Sequence, residues 1–126
     1  MTETSEENSA MHIHLTIDGN SVDAALNDCS TARDFAALLP LTLELDDFQK
    51  TERIADLPRE LSIEGAPASS EPKAGDLAFY APWGNLALFC RDGHPSPGLV
   101  VLGHLTDPDG IAHLADADRV HIQPAS

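Results

Sequence analysis

The chain has 126 residues, enough for one hydrophobic core and too few for two. Its 21 acidic residues against 7 basic ones give a formal net charge of −14, which argues against nucleic acid or an anionic membrane as partner, because phosphate binding needs a positive surface. No apolar run approaches the ~20 residues of a bilayer span, and the polar start is the opposite of a basic, apolar signal peptide.

Residues 1–10, with Glu3, Glu6 and Glu7, read as a disordered acidic tail ahead of one domain over 11–124. Met11, Ile13, Leu15 and Ile17 alternate with polar residues, Asp18-Gly19-Asn20 is a turn signal, and Val22 to Leu26 returns as a second strand. Ser30 or Thr31 is placed to cap a helix over Ala32 to Leu39, with Asp34 in its first turn and Pro40 as its stop. Leu41, Leu43 and Leu45 predict a strand with one wet face, followed by a polar stretch from Asp46 to Arg53. An apolar segment from Ile54 to Ile63 is broken by Pro58, and Gly65 to Gly75 is a long loop.

The most informative stretch is Gly75 to Cys90, two strands (Leu77 to Tyr80 and Leu86 to Cys90) joined by a turn that carries Trp83. Both strands are apolar nearly throughout, so neither has a simple wet face. A loop over Asp92 to Gly98, a strong strand over Leu99 to Leu105, a helical turn at Ile111 to Leu114 and a closing strand over Arg119 to Gln123 complete the chain. Many short strands with one convincing helix predict a mainly β barrel or sandwich. Cys29 and Cys90 form no CxxC and no disulfide framework, so a reducing, cytoplasmic setting is expected.

From Thr31 onward the chain resembles the cyclophilins, and more closely the small prokaryotic cyclophilin-like proteins. Thr31-Ala32-Arg33-Asp34-Phe35-Ala36-Ala37-Leu38 is similar to the family helix T-A-E-N-F-x-x-L, and Leu99 to Leu105 is similar to H-V-V-F-G-K-V. The order of motifs from Gly75 to Leu105 follows G-D-x-x-Y-x-P-x-G-N-x-L-x-x-F-F and then a V-x-x-L/I-G strand. The resemblance implies a closed eight-stranded β-barrel with one or two short helices. It also implies where prolyl isomerase chemistry would sit: Arg53 stands in place of the catalytic arginine, and Phe89 matches a pocket phenylalanine. The F-M-x-Q-G-G segment is absent, and Leu99 stands where the family has its pocket histidine. Without that frame little transition-state stabilisation is expected.

Tyr80 and Trp83 are candidates for an aromatic ligand platform, with Asn85 to orient a ligand through its amide. Arg53 and Arg59 are candidates to hold a carboxylate or phosphate, or to form structural ion pairs. His12, His14 and His121 lie on outer strand faces, and no metal site or cofactor is expected from them. The chain is thus expected to bind a small molecule or a proline-containing peptide through Arg53, Arg59, Tyr80, Trp83, Asn85 and Phe89, as a monomer or homodimer. Weak peptidyl-prolyl isomerase activity is the alternative.

Overall fold

The computed structural model describes residues 10–48, 51–107 and 109–125. The acidic tail expected over 1–10 lies outside them, save Ala10, which opens the first strand. Strands β1 (Ala10–Ile17) and β2 (Asn20–Asn27) form the opening hairpin, in register from Ala10↔Asn27 to Ile17↔Asn20. Its turn has positive φ at both Asp18 (48°) and Gly19 (88°), the backbone twist that suits a two-residue hairpin. Helix α1 (Ser30–Ala36) follows, earlier and shorter than the sequence suggests. Cys29 occupies its N-cap without a side-chain hydrogen bond, because the Ser30 hydroxyl donates instead to the Glu64 carbonyl at 2.6 Å.

Asp34 lies beyond the first turn of α1, and its role is tertiary. It accepts two hydrogen bonds from the Arg59 guanidinium, at 2.9 and 2.8 Å, and one from the Ser62 amide at 2.7 Å. Arg59 first, and then the Ser62 amide, hold its carboxyl down at about 2 from the usual 3.8. A depressed native pKa means stability that is fully present above the unfolded value and is lost as pH falls through the native one. Asp34→Asn is therefore expected to lower the thermal midpoint at neutral pH and to flatten its decline between pH ~4 and ~2. A pH series of melting curves checks this; parallel declines for both proteins would contradict it.

Strands β3 (Leu41–Glu44) and β4 (Asp46–Phe48) are consecutive, with only Leu45 between them. They are followed by β5 (Glu52–Asp56), β6 (Ser69–Ser70), β7 (Asp76–Tyr80), β8 (Asn85–Phe89), β9 (Ser96–Pro97) and β10 (Leu99–Leu105). Helix α2 (Gly110–Leu114) and β11 (Arg119–Pro124) close the chain. The main sheet has nine strands in the order β3-β11-β1-β2-β10-β7-β8-β5-β4. Its two edges are β3 and β4, which adjoin in sequence, so the sheet curls into a nearly closed barrel. The expected count of eight is corrected to nine because the chain leaves β11 at Leu45 and crosses to β5. The stretch read as merely polar, Asp46 to Arg53, supplies β4 and the start of β5.

Inside the barrel pack Ile13, Leu15, Ile17, Phe35, Leu77, Phe79, Leu86, Leu88, Leu102 and Ile122, all buried. A second, smaller cluster sits on the outer face of the same sheet: Ala78, Ala87, Phe89 and Leu99, with Ile54 and Tyr80 against it. This explains why β7 and β8 are apolar on both faces. One face fills the barrel, and the other forms the floor of the site described next. Among the described residues no helix is long and apolar enough to cross a membrane.

Candidate functional site

Period-two alternation along paired strands places the side chains of the outer face in rows. Phe48, Glu52 and Phe89 are register partners across β4, β5 and β8, and Asp56, Asn85, Tyr80 and Leu99 are partners across β5, β8, β7 and β10. Ile54 and Ala87 pair between the two rows. Over this floor lies a cavity of about 320 Å³, lined by Phe48, Glu52, Ile54, Tyr80, Trp83, Asn85, Phe89, Leu99 and the loop from Asp92 to Ser96.

Each wall has a local cause. Trp83 stands in the four-residue connection of the β7–β8 hairpin, where the Gly84 amide donates to the Tyr80 carbonyl at 2.8 Å and Gly84 takes a φ of 68°. The indole meets the rings of Phe48 and Tyr80 edge-on, at 5.5 Å and 79° and at 5.3 Å and 85°. It nevertheless remains 56% exposed, so this aromatic arch is open to solvent. At the other end the loop lies flat on Phe89: a Cβ at Gly93 would stand 2.8 Å from the Phe89 ring. The loop is tied down by Gly93 N–H to the Pro72 carbonyl (3.0 Å), Ala74 N–H to the Asp92 carboxylate (2.9 Å) and the β6–β9 pairing.

Among the described residues, Asn85 and Glu52 have polar side-chain atoms without a partner. Asn85 is 4% exposed, and its buried Oδ1 has no hydrogen-bond partner. The Glu52 side chain is half-buried with no hydrogen bond or ion pair among the described residues, and burial pushes its pKa up. A larger hollow of about 530 Å³ lies beside α1, where three of the polar side chains on its wall are already engaged. There Arg33 pairs with Asp28, Ser30 donates to Glu64, and Asn27 donates to the Val101 carbonyl at 3.2 Å. Unmet polar atoms mark the outer-face cavity as the better candidate.

Of the residues expected from sequence, Tyr80, Trp83, Asn85 and Phe89 converge on this cavity, whereas Arg53 and Arg59 do not. Arg53 lies on the inward face of β5, opposite Leu88, and is buried. Its Nε donates to the Ala117 carbonyl at 2.9 Å, its Nη2 also bonds that carbonyl, and its guanidinium faces Asp47 at 3.5 Å and Asp118 at 3.8 Å. Arg59 is occupied by Asp34. Sequence reasoning missed Phe48, Glu52 and Ile54. The signal that identifies the last two is the alternation Glu52-Arg53-Ile54, which puts Glu52 and Ile54 on the face opposite Arg53. His14 pairs with Asp23 and His121 with Thr42, each at 2.8 Å, and no cluster of three potential metal ligands occurs among the described residues.

Comparison with known proteins agrees with this architecture. The model of the Cyclophilin-like family matches residues 15–123. The solution structure of the hypothetical protein AF2241 from Archaeoglobus fulgidus is similar in fold, with a TM-score of 0.69 at 19% identity, covering 97% of this chain and 100% of that one. No curated protein matches the sequence. The barrel, its hairpin and the extent of the family match together establish that the chain belongs to the cyclophilin-like family.

Proposed function

We propose that this protein is a binding barrel, without efficient prolyl isomerase activity, that takes a small molecule or short peptide segment in the outer-face cavity. The observation that carries the reading is Asn85 Oδ1, a buried acceptor left without a partner at the edge of an apolar floor. An orphaned buried polar atom costs roughly 1–3 kcal/mol, a cost a bound donor removes. The volume lies at the lower end of small-molecule pockets, and apolar walls with a few placed polar groups are their usual make-up. Against isomerisation stands the position of Arg53, whose guanidinium is engaged on the other side of β5.

The test combines stability with binding. Asn85→Leu is expected to raise unfolding free energy by about 1 kcal/mol, by removing the unmet acceptor at similar volume. The same change is expected to weaken ligand binding. Amide chemical-shift mapping of the wild type against a fragment mixture is expected to move residues 52–54, 80–85 and 89–96. Shifts confined to the hollow beside α1, or an Asn85→Leu variant that is both less stable and equally competent to bind, would overturn the reading.

A further inference from the structure

Resting on that reading, we propose that the ligand is an organic cation, a protonated amine on an apolar body, with Glu52 as its counter-charge and the Phe48–Trp83–Tyr80 arch as its cover. Among the described residues lining the cavity, two carboxylates, Glu52 and Asp92, stand against one imidazole, His94, and no lysine or arginine. The Ser96 hydroxyl already donates to the His94 carbonyl at 3.2 Å, and Asn85 Oδ1 waits for a donor. The wall therefore carries an excess of carboxylates, with the unmet Asn85 acceptor buried at its edge. An anionic ligand meets repulsion there, and a protonated amine meets complementarity.

The aromatic arch points the same way. Each of the two edge-to-face contacts uses one ring face, Trp83 lines the cavity while 56% exposed, and the negative face of an indole attracts a cation. Glu52 is half-buried with no hydrogen bond or ion pair among the described residues, so an arriving ammonium group offsets a desolvation already incurred in the free protein. A bare metal ion fits less well, because two carboxylates do not make a coordination set. Asn85 and Phe89 are four residues apart on β8, which at about 3.3 Å per residue separates the orphaned acceptor from the Glu52 end by roughly 13 Å. An elongated ligand, with its amine at the Glu52 end and a second donor at Asn85, uses both.

Three probes with one aromatic body separate the possibilities: 2-phenylethylamine, 2-phenylethanol and 3-phenylpropionate. Each is titrated into the wild type and into Glu52→Gln, following the emission of Trp83, the single tryptophan, and the Asn85 amide shift. The amine is expected to bind about tenfold tighter than the alcohol, a preference worth one well-placed cation contact that shrinks with added salt. The propionate is expected to bind most weakly. Glu52→Gln is expected to remove most of the amine's advantage and leave the alcohol within about twofold. Equal affinity for amine and alcohol overturns the cation assignment while leaving the cavity as a binding site. An amine preference that persists in Glu52→Gln overturns the role given to Glu52. No response at Trp83 or Asn85 to any of the three at millimolar concentration overturns the cavity reading itself.

Discussion

Gly103→Val is expected to cost about 3 kcal/mol or more and to lower the thermal midpoint by ~10 °C, if the variant folds at all. The reason is contact, not backbone angle. A Cβ on Gly103 would stand 2.1 Å from the Ala25 carbonyl oxygen and 2.8 Å from the Leu26 Cα, both backbone atoms of β2 that have no rotamer to retreat into. Gly103 sits at a register shift in the β10–β7 ladder, between Val101 and Gly103. The shift resets the alternation of β10, so that Leu102 and Leu105 both enter the barrel while His104 remains outside. Gly19→Ala supplies the contrast: nothing lies within 4 Å of its Cβ position, and its φ of 88° makes the strain about 1–2 kcal/mol. Melting curves of the two variants rank the effects. A Gly103→Val protein as stable as Gly19→Ala would contradict the close approach of β10 to β2.

The second large effect concerns Arg53. Arg53→Ala is expected to destabilise the barrel by roughly 2–4 kcal/mol, because it strips the Ala117 carbonyl of its guanidinium donor and empties a buried volume. Denaturant melts measure this directly. The same variant, studied where it is folded, is expected to keep the wild-type affinity of the outer-face cavity, since the side chain lies across β5 from Phe89 and Ile54. A stability unchanged by the substitution would mean that the guanidinium is not the tie the geometry describes.

Much of this fold is legible in the sequence because it rests on local chemistry. The alternation of Met11 to Ile17 and the Asp18-Gly19 turn specify the first hairpin, and Pro82, Gly84 and Asn85 mark the central one. The order of motifs from Thr31 to Leu105 carries the family. What escapes is non-local. The splitting of Leu41–Phe48 into two strands depends on a crossing from β11 to β5 that has no local signal, since Leu45 looks like any other apolar strand residue. The helix cap fails as an expectation because Ser30 has a distant partner, Glu64, that outcompetes the local one.

The site is legible only where a residue belongs to the central hairpin. Tyr80, Trp83, Asn85 and Phe89 were accessible to reasoning because turn chemistry and apolar strands place them together. Arg53 and Arg59 drew attention as rare cations in an acidic chain, and rarity proved to mark structural ion pairs with Asp34, Asp47 and Asp118. Glu52, by contrast, is one of 21 acids, and its alternation with Arg53 gives the face it lies on but not what it faces there. Its place in the proposal comes from lining an apolar cavity with no partner among the described residues, a property of the folded surface alone.

The most direct test of the account is an exchange spectrum of the cis and trans peaks of a short Ala-Pro peptide, recorded with and without the protein. The two peaks are expected to interconvert no faster with the wild-type protein than without it, because among the described residues the cavity offers no guanidinium to the prolyl bond. Accelerated exchange with the wild-type protein would contradict this, and its loss in Arg53→Ala under conditions where that variant is folded would make this barrel an isomerase working through the residue that the geometry places on the other side of the sheet.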